Sequence, residues 1–328
     1  MTERLLDQYD TVLIDLDGTV YRGGEAVPGA GAAVEVMHQA GVAIRFVTNN
    51  ASRGPAEVAG HLTELGIPAA ETEVATSAQA AAAVLAEKLA PGATVLVVGS
   101  VALVAEVEAV GLVPVRAAGP DVAAVVQGLS KDTGWRDLAE ATVAIRAGAH
   151  WVACNVDATL PTERGLLPGN GALVAAVAAA TSAEPLVAGK PAAPLLHEAM
   201  RSAGGRAALV VGDRLDTDIA GAHTAGLDSL MVLTGVSTVA DVLRDGPVPT
   251  YLAADLTAVS EPAAALAVAE QADWAVEDGR VTWRGAGDPD PLRLARALLA
   301  ARGQGTVVAG DDTAAAALTR LDVPHELA

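Results

Sequence analysis

Four short stretches carry residue types that can do chemistry together: Asp15-Leu16-Asp17-Gly18-Thr19, Thr48-Asn49-Asn50, Gly189-Lys190-Pro191 and Gly212-Asp213-Arg214-Leu215-Asp216-Thr217-Asp218. Any one alone reads as a turn, because Asp, Asn and Gly are common where strands end. Together they hold what phosphoryl transfer requires: a nucleophile, an acid for the leaving alkoxide, and positive charge around the transferring group. Asp15 is the candidate nucleophile, carrying an aspartyl-phosphate. Asp17 is the candidate general acid and base, protonating the leaving oxygen and later deprotonating the attacking water, so it must hold a proton at the outset. Gly18 lets the chain turn sharply and brings backbone close to the phosphate. The Thr48 hydroxyl and the N–H groups beyond it can hold phosphate oxygens while Asn50 orients nearby groups. Lys190 supplies positive charge to nucleophile and phosphate. Asp213 adds a hard oxygen ligand, so that with Asp15 and the Asp17 carbonyl a Mg²⁺ ion can be held and still keep several waters. Asp218 is placed to hold one of those waters, and Asp216 reads as helix-start chemistry.

Composition sets the terms on which such a site can work. Lys plus Arg total 21 against 40 Asp plus Glu, a formal net charge of -19. With no basic stretch, nucleic acid and anionic membrane are poor partners. The same surface repels a phosphate ester unless the pocket itself provides a cation, which is the part given to Lys190 and the metal. Cys154 is the single cysteine, which excludes an internal disulfide framework and a cysteine-rich zinc site. It reads as a small buried apolar residue. The N-terminal residues lack a signal-peptide core, and no apolar run approaches the roughly 20 residues of a membrane span. A cytoplasmic protein is expected.

The elements that must position these residues follow from hydrophobic pattern. Thr11 to Ile14 is a short β-branched run of the kind found in buried parallel strands, ending at Asp15. Its C-terminal end is where open α/β sheets place ligands. Residues 29 to 40 read as helix, Val42 to Val47 as strand, and residues 55 to 65 as helix. From about 79 to 183 the alternation restarts, with strands at Thr94 to Val98, Val122 to Gln127 and Trp151 to Asn155, and helices at Ala102 to Val110 and Trp135 to Ala147. This reads as a second α/β domain inserted into the first. The first domain is expected to resume at Leu186 to Gly189, with helix Ala193 to Ala203, strand Ala208 to Val211, a helix from Thr217, and strands Ser229 to Leu233 and Tyr251 to Ala253. After about 264 a hairpin (Trp274 to Val276, Val281 to Trp283), helix, strand and helix form a small appended unit. The expected fold class is α/β: a Rossmann-like parallel-sheet core (1–78 and 184–263), an inserted α/β cap (79–183) and a small C-terminal α+β extension (264–328).

The four stretches, in this order, resemble the haloacid dehalogenase superfamily. The short interval from Asp15 to Thr48 leaves little room for an insertion, whereas the long one from Thr48 to Lys190 leaves ample room. That placement resembles the class IIA, NagD-like phosphatases, as do Phe46-Val47-Thr48-Asn49-Asn50 with Ser52, Thr76-Ser77-Ala78, Asn155-Val156-Asp157 and Pro168-Gly169-Asn170-Gly171. The resemblance covers residues 9 to about 260. It implies Asp15, Asp17 and Lys190 as catalytic residues, Thr48, Asn49, Asn50 and Lys190 as phosphate-binding, and Asp15, Asp17 and Asp213 as Mg²⁺ ligands. Competing motifs fail: a Walker loop needs Gly where Glu184 stands and Ser or Thr where Pro191 stands, and the six histidines show no metal-ligand spacing.

Substrate choice falls to the insert, because the core elements see only the phosphate and the transferring oxygen. The loop from Asn155 to Gly171 is the candidate, with Leu160, Glu163 and Arg164 as specificity residues. Relatives acting on pyridoxal phosphate carry histidine where Leu160 falls, whereas those acting on glycerol 3-phosphate or phosphoglycolate carry leucine. Within the class the chain is similar to actinobacterial glycerol-3-phosphate phosphatases. That likeness implies a small phosphorylated metabolite, glycerol 3-phosphate, as substrate, with phosphoglycolate, pyridoxal phosphate or a nucleotide as alternatives. A phosphate-ester sensor without turnover is the non-enzyme alternative, against which the intact Asp17 argues. The C-terminal residues resemble a partial acetyltransferase-like module. Gly303-Gln304-Gly305 invites an acyl-coenzyme A reading, but Ala300 stands where Gln or Arg belongs, so an accessory element is expected. Pairing through the cap into a homodimer is implied by resemblance only.

Overall fold

The computed structural model describes residues 3–162, 164–244, 246–301 and 306–327. They form two compact units, Met1–Ile44 with Leu65–Pro68 and Gly205–Ala328, and Arg45–Glu64 with Ala69–Gly204.

In the first unit, parallel strands run in the order Tyr251–Ala253, Asp228–Val232, Ala208–Gly212 and Thr11–Asp15. Thr11 through Ile14 have no exposed surface, which is why that strand reads as an unbroken apolar run rather than an alternating one. Beside it the next strand, Ala43–Thr48, begins, with the Ala43 N–H donating to the Asp10 carbonyl at 3.0 Å. Helix Ala30–Gln39 buries Ala30, Ala33, Val34 and Met37, one stripe at helical spacing. The C-terminal extension is a four-stranded sheet in the order Trp274–Glu277, Arg280–Trp283, Val307–Ala309 and His325–Leu327, with helices Pro291–Ala301 and Asp312–Arg320. Trp274 faces Trp283 across the hairpin, with ring centroids 4.6 Å apart. One apolar core joins Ile219, Met231 and Leu252 to Trp274, Leu294, Leu298 and Leu318. The extension therefore shares its core with the sheet that precedes it.

The second unit holds a five-stranded parallel sheet in the order Leu186–Val187, His150–Ala153, Val122–Gln127, Thr94–Val98 and Val113–Val115. Helices Trp135–Arg146 and Asn170–Thr181 cover it over a core that includes Leu96, Val98, Val125, Trp151 and Val174. The end of Ala43–Thr48 pairs with Val74–Thr76, which leads into helix Ser77–Lys88. A hairpin, Thr159–Thr162 with Gly165–Pro168, projects from the sheet's loops.

The chain is thus α/β with parallel sheets, as its pattern implies. Leu186–Val187, expected to return the chain to the first sheet, instead pairs with Val152 and Ala153 in the five-stranded sheet. A run so short shows its extended state in sequence but not its partner. Helices Ser77–Lys88 and Asn170–Thr181 escape the pattern because alanine fills their faces and leaves little contrast between buried and exposed sides. Among the described residues no helix is long and apolar enough to cross a membrane.

Candidate active site

In the first unit, Asp15 is the last residue of its strand and Asp213 directly follows the neighbouring one. The pairing of Ile14 with Val211 brings both carboxylates to one edge of the sheet. Asp218 reaches the same place by a wider turn. Leu215–Ile219 is π-helical, with the N–H groups of Asp218 and Ile219 both donating to the Arg214 carbonyl at 3.0 and 3.1 Å. That turn directs Asp218 inward, fully buried, and Asp216 outward, where the Arg214 guanidinium 2.7 Å away holds its carboxyl below the usual carboxylate range.

Carboxylate oxygens of Asp15, Asp213 and Asp218 lie within 4.8 Å of one another, with Asp15 half-buried and the other two inaccessible. Their positions are fixed. Asp213 accepts from the Val236 N–H at 2.7 Å and from the Thr19 hydroxyl at 3.4 Å, and Asp218 accepts from the Arg214 N–H at 3.1 Å. The backbone makes room for them. Gly18 has φ +93°, and a Cβ there would stand 2.5 Å from the Asp213 carboxylate; a Cβ on Gly212 would collide with the Asp218 carboxyl. Three ionised carboxylates this close repel one another, and an all-oxygen donor set in a cradle lined by glycine suits a hard divalent cation. Asp17 stands outside this cluster. It is exposed, on a turn tied down by the Gly18 N–H to the Tyr21 carbonyl at 2.7 Å and by the Thr234 hydroxyl to the Gly18 carbonyl at 2.6 Å. An exposed carboxyl on a fixed turn can exchange protons with a ligand.

In the second unit, Thr48 ends its strand and the following loop folds on itself. The Asn50 N–H donates to the Thr48 hydroxyl at 3.1 Å, and the Ser52 N–H and hydroxyl both donate to Asn50 Oδ1 at 2.7 Å. Lys190 is 2% exposed, its ammonium donating to the Val47 carbonyl at 3.4 Å. Asn49, expected at the phosphate, has its side-chain amide taken up by protein. Its Oδ1 accepts from the Lys190 N–H at 2.8 Å, and its Nδ2 donates to the Lys190 carbonyl at 2.9 Å and to Asp157 at 3.3 Å. Its own carbonyl accepts from Ser77 Oγ at 2.5 Å and Asn155 Nδ2 at 2.6 Å, and Asn170 in turn donates to the Asn155 carbonyl at 2.7 Å. Ser77, Asn155, Asp157 and Asn170 stand in stretches that carry the family resemblance but have no site role predicted from sequence. Their signal was a polar residue set beside apolar strand ends, and their work is to hold the Lys190 loop.

Leu160 and Arg164 line a different cavity of the second unit, about 600 Å³, together with Leu129, Lys131, Leu167 and Leu173. Its wall is apolar with two cations. Glu163, the third expected specificity residue, lies outside the described residues, as do Gly303, Gln304 and Gly305.

Comparison with known proteins fits this geometry. Residues 12–113 match the haloacid dehalogenase-like hydrolase family, and residues 187–259 match a HAD-hydrolase-like family. The chain is 55% identical over 294 residues to D-glycerol 3-phosphate phosphatase of Mycobacterium tuberculosis, covering 88% of this chain and 82% of that one. It is 38% identical over 253 residues to an acid sugar phosphatase of Staphylococcus aureus, covering 76% and 96%. Among solved structures, the glycerol phosphate phosphatase of M. tuberculosis in complex with magnesium matches with a TM-score of 0.92 at 52% identity, over 98% of this chain and 100% of that one. A thermostable NPPase double mutant from Geobacillus stearothermophilus matches with a TM-score of 0.71 at 34% identity, over 78% and 98%.

Proposed function

The chain belongs to the haloacid dehalogenase-like hydrolases, and we propose that among them it is a Mg²⁺-dependent phosphomonoesterase releasing glycerol and phosphate from glycerol 3-phosphate. The observation that carries this reading is the cluster of Asp15, Asp213 and Asp218 at one sheet edge, in a chain so similar to a glycerol 3-phosphate phosphatase.

Asp15, Asp213 and the Asp17 carbonyl would hold the metal, with Asp218 supporting it. When bound, Mg²⁺ supplies positive charge to the phosphate. Asp15 attacks phosphorus through a carboxylate oxygen, and the bond from phosphorus to the ester oxygen breaks. Asp17 gives that oxygen its proton, so glycerol leaves neutral. Asp17 then takes a proton from water as the water attacks phosphorus, the bond to Asp15 breaks, and phosphate departs. Lys190 balances the charge of the phosphoryl oxygens, and Thr48 donates its hydroxyl to them. Asn49 serves by holding Lys190, and Asn50 by shaping the loop after Thr48.

Residues 1–78 with 184–263 are the catalytic core in this reading, 79–183 the specificity cap and 264–328 an accessory element. In the cap, Leu160 and Arg164 select the ester, Arg164 and Lys131 favouring an anion. A cytoplasmic homodimer paired through the cap completes it.

The test is phosphate release from a panel of glycerol 3-phosphate, phosphoglycolate, pyridoxal phosphate, a nucleoside monophosphate and sugar phosphates, with and without Mg²⁺. Sugar phosphates join the panel because of the staphylococcal relative. Glycerol 3-phosphate is expected to give the highest kcat/KM, to require the metal, and to lose at least about four orders of magnitude in the Asp15→Asn variant. Equal turnover by that variant would falsify the mechanism, and a different leading ester would replace the substrate.

A further inference from the structure

Arg296, in the middle of helix Pro291–Ala301, is 5% exposed. A guanidinium stays charged and presents a fork of N–H donors. Here only Nε is engaged, donating to the Leu252 carbonyl at 3.0 Å, and among the described residues the terminal nitrogens have no hydrogen-bond partner. Those nitrogens are not sealed in, so the little exposure Arg296 keeps lies at the end of its guanidinium, toward the cavity it lines.

Arg296 lines a cavity of about 390 Å³, within the size range of small-molecule sites. Its charged neighbours there are Arg293, Asp255, Glu261 and Asp290. Arg293 is committed elsewhere, to Asp273 at 3.0 Å and Gln271 at 3.2 Å. Asp255 uses one oxygen to cap the turn at Thr257, and Asp290 uses one to cap the helix at Leu292, each at 2.9 Å. Their second oxygens, and the Glu261 carboxylate, accept nothing from the described residues. The cavity therefore offers one guanidinium with free donors, already drawn electrostatically toward Asp290 and Glu261, and three carboxylates with free acceptor positions.

A simple anion matches Arg296 but is repelled by the three carboxylates, and a simple amine satisfies the carboxylates but leaves Arg296 unmatched. We propose that this cavity binds a small amino-acid-like zwitterion, its carboxylate on the Arg296 guanidinium and its ammonium toward Glu261, Asp255 and Asp290. The site is independent of the phosphatase reading and uses none of its residues.

Calorimetric titration of the full-length protein tests this with L-alanine, L-lysine and the other common amino acids. The separated charges, propionate and butylamine, serve with inorganic phosphate as controls. Saturable binding of at least one amino acid is expected, with the controls at least about tenfold weaker. Arg296→Gln should weaken that binding about tenfold or more. Should Arg296→Gln fail to fold by circular dichroism, Glu261→Gln at the exposed rim gives the same reading through the ammonium. The proposal is overturned if no amino acid binds at millimolar concentration, if propionate, butylamine or phosphate binds as tightly as the amino acid, or if neither variant changes the affinity.

Discussion

Asn49 holds Lys190 by its backbone from both sides, accepting from its N–H at 2.8 Å and donating to its carbonyl at 2.9 Å. The side chain that the sequence suggested as a phosphate ligand is thus a clamp on Lys190, the residue proposed to supply charge. Asn49→Ala leaves a buried N–H and carbonyl unmatched, at a cost of about 1–3 kcal/mol. The expected result is a lower melting temperature and a kcat reduced by roughly 10–100-fold. Asn49→Asp should be worse despite its similar shape, because it cannot donate to the Lys190 carbonyl and repels Asp157. Steady-state kinetics with thermal melts check this; a variant with wild-type kcat would show that the clamp is dispensable.

The carboxylate cluster makes a separate prediction about metal dependence. Asp218 is fully buried and held by the Arg214 N–H, so Asp218→Asn preserves shape while removing a charge from the cradle. The Mg²⁺ concentration for half-maximal activity should rise about 10–100-fold, with much of kcat recovered at saturating metal. Asp213→Asn should not be rescued in this way, because Asp213 also fastens the Val236 and Thr19 segments. Titrating activity against Mg²⁺ separates the two. An unchanged metal response in Asp218→Asn would remove Asp218 from the metal's surroundings.

What the sequence could reveal depended on how local each signal was. Asp15 and Asp213 were legible because each follows an apolar strand, and parallel pairing in register then puts both at one edge. Asp218 was set apart from Asp216 as a neighbour of the metal, but the π-helical turn that carries it inward was not legible, because that turn depends on packing around Gly212 rather than on any period. The role of Asn49 was hidden for a similar reason. Its partners are Ser77, Asn155, Asp157 and Lys190, far apart in the chain, and only the folded loops bring them together. Leu186–Val187 shows the limit on strands: two apolar residues announce extension, and long-range pairing alone chooses the sheet.

Stability should weaken in acid through Asp10. Burial disfavours its charge, but the N–H groups of Ala207 and Arg206 and the Thr11 hydroxyl all donate to it, and the net result holds its carboxyl below the usual range. A carboxyl depressed in the folded state stabilises the fold above its unfolded value, near pH 4, and that contribution fades as pH falls through the lower folded value. Asp10→Asn should therefore melt below wild type at pH 7, with the gap narrowing toward pH 3. A gap that is constant or widens on acidification would contradict this assignment.

Cys154 offers a probe of the packing inside the second unit, where its Sγ lies close to Gly128. It is fully buried, and burial pushes its thiol up to about 12, so it carries little reactive thiolate at pH 8. Its carbonyl also lies 2.5 Å from where a Cβ on Gly189 would stand, so the two backbones already touch. Reaction with a thiol reagent in native buffer is expected to be orders of magnitude slower than in urea, and what reaction occurs should report local opening. Protein alkylated in urea and then returned to buffer should fail to recover activity, because the added group has no room where the buried Sγ packs close to Gly128. Rapid native labelling with activity retained would mean that the packing around the Cys154 thiol is open.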